Sequence, residues 1–161
     1  LWSGVRHMCI LPSIFAGVQA GLYYHYGIPK YILDKKISGV FSHKVLNKKS
    51  RLFRGFDDTF YAPHSRHTEV RAEDIEKVPE LRIMAASEEA GVYVVGSADD
   101  SQFFIMGHSE YDVDTLAKEY FRDAEKGMNP EVPKHYFPDD DPTKQPEMKW
   151  SATDSGFILT G

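Results

Sequence analysis

The chain's most reactive-looking stretch is F-F-I-M-G-H-S-E-Y-D, Phe103 to Asp112. Four apolar residues predict a buried strand, and Gly107 ends the run. His108 and Glu110 follow, two positions apart. On an extended backbone, side chains at i and i+2 point to one face. A carboxylate placed there can hydrogen-bond one imidazole nitrogen and leave the other to move a proton. That is the base and orienter of a nucleophilic site. Helical spacing begins at Asp112, so the pair sits where a strand gives way to a helix, a common place for chemistry in α/β folds. The same spacing also suits a solvated surface pair.

Other candidates carry weaker signals. H-S-R-H-T-E, His64 to Glu69, holds two histidines and a carboxylate that could bind zinc, but its spacing is loose and reads better as a polar loop. Y-Y-H-Y, Tyr23 to Tyr26, could form an aromatic box, though a half-buried helix face accounts for it. Cys9 could serve His108 as a nucleophile or fill a small core position. Lys36 and Arg122 could bind carboxylates or be ordinary solvated charges. Neither phosphate-cradling glycine motif occurs.

The elements that must position these residues alternate between strand and helix. Residues 7–14 predict a short strand, Gly17 a tight turn, and residues 18–26 a helix with Leu22, Tyr23 and Tyr26 on one face, capped by Gly27. Strand, glycine turn and helix make the architecture of a nucleophile elbow. I-S-G-V-F (37–41) predicts a strand and residues 44–50 a basic turn. Residues 51–71 read as an irregular loop with strand pieces. A short helix over 71–78 precedes three strands, 81–87, 91–97 and 102–107. Asp112 predicts the cap of a helix with Leu116, Tyr120 and Ala124 on one face. Residues 129–149 hold five of the nine prolines and read as an extended arm rather than a packed element.

Composition narrows the class. At 161 residues and 42% apolar content the chain is long enough for one real core. A net charge of -5 without a basic run gives no support to a nucleic-acid binder. One cysteine excludes an intrachain disulfide and fits a reducing compartment. Met8 to Tyr24 carries no charge and faintly mimics a secretory leader. Pro12 and Gln19 inside it favour a buried strand and helix instead. The start without methionine suggests a fragment.

From Ala20 onward, A-G-L-Y-Y-H-Y-G-I-P-K-Y, R-G-F-D-D-T-F-Y-A-P-H-S-R-H-T-E-V, G-H-S-E-Y-D, Y-F-R-D and P-K-H-Y-F-P-D-D-D-P resemble the homoserine O-acyltransferases, across about residues 19–150. The resemblance implies an α/β fold of the class I glutamine amidotransferase-like (flavodoxin-like) type, a three-layer sandwich whose N-terminal part is missing here. It implies a partial acyltransferase domain over 1–128 and an arm with a divergent tail over 129–161. It implies ping-pong transfer of an acetyl or succinyl group from acyl-CoA, through a cysteine thioester, to the hydroxyl of L-homoserine in methionine biosynthesis. His108 matches the family's general base and Glu110 its orienting acid. Lys36, Ser65 and Arg122 match positions that contact the amino-acid substrate. Acyl-CoA is then a co-substrate, with no metal and no resident cofactor. The expected partners are homoserine and acyl-CoA in the cytoplasm, with neither nucleic acid nor membrane, and a homodimer is compatible. Acetyl is favoured, since a small acyl pocket is common across these relatives.

One departure is serious. The family carries Cys-Trp-Gly-Ala before Gln-Ala-Gly, whereas this chain has F-A-G-V, and Phe15 stands in the nucleophile's place. Phenylalanine can neither attack a thioester nor carry an acyl group. We hypothesise a shifted reading frame. A family-like Thr-Phe-His-Ile-Cys-Trp-Gly-Ala, written ACC-TTC-CAT-ATT-TGC-TGG-GGT-GCA and read one base late, gives Pro-Ser-Ile-Phe-Ala-Gly-Val, the residues at 12–18. Repeated DNA reads with an intact frame through Phe15 end that idea. As written, the chain is expected to be a non-catalytic homologue that binds homoserine-like ligands or a partner, if it is not an enzyme using another nucleophile. A glutamine amidotransferase is the remaining alternative, disfavoured by Lys36, Ser65 and Arg122.

Overall fold

The computed structural model describes residues 15–150 apart from Ser109, and for residues 15–17 the backbone alone. The strand expected over 7–14, Cys9 and the divergent tail lie outside the described residues. Five antiparallel strands, β1 (Tyr31–Val45), β2 (Thr59–Glu69), β3 (Leu81–Ser87), β4 (Gly91–Ser97) and β5 (Phe103–Ile105), form one sheet in the order β2-β1-β3-β4-β5. Three helices, α1 (Phe15–Tyr26), α2 (Ala72–Glu76) and α3 (Thr115–Glu125), complete an α/β unit.

The β3–β5 meander follows the sequence pattern closely. Each strand is a short apolar run closed by turn residues, and Met84, Val92, Val94 and Val95 are buried. β1 and β2 depart from it. β1 runs through Asp34, Lys35 and Lys36, because a register shift between Ile32 and Ile37 lets those polar residues bulge out of the ladder. β2 is a continuous strand rather than the expected loop. It lies at an edge of the sheet, where Pro63 costs little, and polar His64 and Arg66 at buried positions hide its alternation. The Arg66 guanidinium donates to the carbonyls of Ala90 and Thr68.

Two more expectations need correction. α1 begins at Phe15, so Gly17 lies within the helix and makes no turn. Val18 and Leu22, four apart, form its buried face, while Tyr23 is 66% exposed. Its end is as expected: Gly27 adopts φ +68° and its N–H donates to the Tyr23 carbonyl at 2.8 Å. α3 starts after Asp114 rather than Asp112, without a side-chain cap, and buries Leu116, Ala117 and Asp123 while Ala124 is exposed.

Nor is the arm unpacked. Tyr136, Phe137 and Trp150 are buried with Val40 and Leu116 in a core cluster of their own. Gly39 and Lys134 form a parallel bridge, with Val40 N–H donating to the Lys134 carbonyl and Lys134 N–H to the Ser38 carbonyl, both at 2.9 Å. Gly39 has φ +146°, and a Cβ there would lie 2.3 Å from the Lys134 oxygen, so only glycine permits this approach. Proline-rich sequence forbids regular structure without forbidding burial.

Candidate functional site

β5 ends at Ile105, and the chain then crosses to β2. His108 N–H donates to the Pro63 carbonyl at 3.1 Å, which links the two outer edges of the sheet. Gly107 makes the crossing feasible, since a Cβ there would come within 2.2 Å of the Tyr93 ring. His108 is thereby fixed against β2, and it sits between strand and helix as the spacing predicts.

The sequence-derived pair meets. His108 Nδ1 and Glu110 Oε1 are 2.9 Å apart, with the histidine side chain 14% exposed and the glutamate 54%. The imidazole is sheltered while its acid reaches water. The hydrogen bond to His108 holds the Glu110 carboxyl below its ordinary range, so it stays ionised and oriented.

Lys36, Ser65 and Arg122 also approach one another, through two acids that sequence reasoning missed. Ser65 Oγ donates to Glu119 Oε2 at 2.5 Å, and Lys36 Nζ lies 3.4 Å from the same oxygen. Lys36 lies 3.6 Å from Asp123 Oδ2, and Arg122 Nε and Nη2 donate to Asp123 Oδ1 at 3.0 and 2.9 Å. Tyr111 donates to Glu119 Oε1 at 3.0 Å. Burial pushes the Glu119 carboxyl up, but the hydroxyls of Ser65 and Tyr111 and the Lys36 charge outweigh it and hold it below its usual value. Burial and the Glu119 charge push the Tyr111 phenol well up, so it remains a donor. Glu119 and Asp123 are four apart on α3, a spacing that could have flagged a shared acidic face.

A cleft of about 320 Å³ lies beside the Lys36–Asp123 pair, lined also by Asp34, His67, Tyr120 and Pro130. Phe15, where the resemblance expects the nucleophile, is the first residue of α1. The zinc arrangement does not form. His64 and His67 lie on opposite faces of β2, and His64 Nε2 is 2.9 Å from His43 Nε2 inside the core. Among the described residues no three histidine, cysteine, aspartate or glutamate side chains are grouped to hold a metal ion. Nor is any described helix long and apolar enough to cross a membrane.

Comparison with known proteins bears on this geometry. A family model described as homoserine O-succinyltransferase matches residues 6–159, beyond the 19–150 expected from motifs. The homoserine O-acetyltransferase of Methanomethylophilus alvi is 61% identical over 144 residues, covering 89% of this chain and 46% of that protein. That of Clostridium novyi is 58% identical over 134 residues, covering 83% and 44%. The chain thus spans less than half the length of these curated relatives. A glutamine amidotransferase from Methylobacillus flagellatus superposes with TM-score 0.52 at 13% identity, over 88% of this chain and 51% of that one. One from Thermotoga maritima gives 0.51 at 12% identity, over 68% and 44%. The fold is that of the glutamine amidotransferases, as the motifs imply.

Proposed function

Because the chain belongs to the homoserine O-succinyltransferase family, we propose that its site serves acyl transfer from an acyl-CoA to the hydroxyl of L-homoserine, in methionine biosynthesis in the cytoplasm. The single observation that carries this reading is that Tyr111 joins the 2.9 Å His108–Glu110 pair, by stacking on His108, to the charge-balanced cluster around Ser65, by its bond to Glu119.

Lys36 and Arg122 carry two positive charges against the two negative charges of Glu119 and Asp123. A zwitterionic amino acid can exchange into such a cluster without adding net charge. Its carboxylate suits Lys36 and Arg122 and its ammonium suits Glu119. In the transfer expected of a chain with cysteine at position 15, His108 takes the thiol proton, the thiolate attacks the acyl-CoA carbonyl, and the His108 imidazolium returns that proton to the departing CoA thiolate. The homoserine hydroxyl then attacks the enzyme thioester while its proton passes to the His108 imidazole, held by Glu110. The collapse returns the cysteine thiolate and releases the O-acyl ester. Acetyl is the favoured group, in keeping with relatives named O-acetyltransferases.

Phe15 supports a second reading, a homologue that binds the amino acid without turnover. The two separate when free CoA is followed with a thiol reagent, in protein mixed with acyl-CoA and homoserine. The chain with Phe15 is expected to release none, and Phe15→Cys to gain homoserine-dependent release. Release by the Phe15 chain points to another nucleophile, Cys9 first. A Phe15→Cys protein that binds neither substrate overturns the assignment.

A further inference from the structure

The transfer chemistry uses His108, Glu110 and the cluster on α3, but leaves Tyr111 without a part. Its position is unusual in three respects. The Tyr111 and His108 rings are stacked with centroids 4.4 Å apart and planes 10° from parallel. Its hydroxyl donates to Glu119 Oε1, and the other Glu119 oxygen takes the Ser65 hydroxyl and faces the Lys36 ammonium. Its backbone is pinned on both sides, with the N–H donating to the His108 carbonyl at 3.2 Å and the carbonyl accepting from Trp150 Nε1 at 3.1 Å.

The hydrogen bond that Nδ1–H donates to Glu110 fixes one edge of the imidazole, and by itself such a bond permits rotation about the contact. A parallel ring at stacking distance removes this freedom. The stacking ring must itself be held, and the Glu119 carboxylate holds it through a charge-assisted bond. We propose that Tyr111 is a positioning residue: its ring sets the plane of the His108 imidazole, and its hydroxyl ties that plane to Glu119. The base is then mechanically connected to the carboxylate suited to the substrate ammonium. A ligand that draws Glu119 toward itself also pulls on the phenol lying against the base. The base and ligand roles rest on the proposed function, whereas the link itself does not need a ligand.

Side-chain NMR of the chain tests the link directly. The three-bond couplings from the His108 Hβ protons to Cδ2 report χ2, the torsion that sets the ring plane, and the ring-current shift of its protons reports the stack. In the native chain a single rotamer with shifted ring protons is expected. Tyr111→Phe, which keeps the ring but loses its tie to Glu119, retains a reduced ring-current shift with partly averaged couplings. Tyr111→Leu, with dispersion elsewhere unchanged, loses the ring-current shift and averages the couplings. A His108 rotamer that stays single in a folded Tyr111→Leu protein overturns the role of the ring.

The hydroxyl is tested by a cycle that remains readable if Tyr111→Leu fails to fold. Glu119→Gln is expected to change the His108 ring shifts when Tyr111 is present, and to lose most of that effect in the Tyr111→Phe background. Equal changes in both backgrounds overturn the connection. Calorimetric titration with L-homoserine is a separate measurement. A chain that shows the Tyr111 link but binds no homoserine refutes the function and leaves this inference standing.

Discussion

Two histidine contacts of nearly equal length lie close together in this molecule, and they behave oppositely. His43 and His64 meet at 2.9 Å in the core, both fully buried, with Phe60 stacked on His43 and Tyr93 beside both rings. His108 and Glu110 meet at the same distance at the end of the sheet, with the acid reaching solvent. Burial pushes His43 down to about 4 and His64 well below its ordinary value, so the inner pair stays neutral at physiological pH. One ring then donates and the other accepts, and the contact works as an internal fastener. The outer imidazole instead meets a carboxylate that reaches solvent and is held below its ordinary range by that contact. The length of a histidine contact therefore says little about chemistry; its partner and its access to water decide.

The sharpest break between the two comes from His108→Ala. If the outer pair is the base, homoserine-dependent CoA release in a Phe15→Cys background falls by about 10³-fold. Stability should fall by only about 1–2 kcal/mol, for the lost stack on Tyr111 and the lost hydrogen bond to Glu110. A comparable loss of stability in urea titration would make His108 another fastener.

Acid sharpens the comparison from the other side. His43 binds its proton more weakly folded than unfolded, so the unfolded state gains protons first as pH falls. Its stabilising contribution is complete above the ordinary histidine value. It is lost as pH drops from about 6.5 to about 4, on the order of 3 kcal/mol, and is unchanged below that window. Urea midpoints measured across this range check it; a flat profile means that the inner pair is hydrated. The smallest of the three effects is that of His64→Leu. The apolar replacement leaves His43 Nε2 unpaired and costs about 2 kcal/mol. The acid loss should persist in this variant, because His43 stays buried.

The outer pair was legible in the sequence because it is local: a short apolar run, a glycine and two residues on one face. The β3–β5 meander was legible for the same reason. The inner pair was not, since its members are 21 positions apart and sit on strands whose patterns are broken by Lys36, His64 and Arg66. Lys36, Ser65 and Arg122 were named through family resemblance, and the structure brings them together through Glu119 and Asp123. Those acids were invisible as partners because Glu119 bonds a serine 54 positions away. The arm was misread because proline content speaks of backbone geometry, whereas the buried rings of Tyr136, Phe137 and Trp150 decide packing.

The missing side chain at Gly39 has a reach far beyond its own strand. By letting residue 134 settle against the sheet, it fixes the path of everything that follows, down to the indole whose N–H holds the carbonyl of Tyr111. The stretch from residue 134 to 150 is a clasp, and the imidazole some forty positions upstream is what it keeps in place. Clipping the protein anywhere between residues 134 and 150 would therefore loosen the His108 ring before it loosened the sheet.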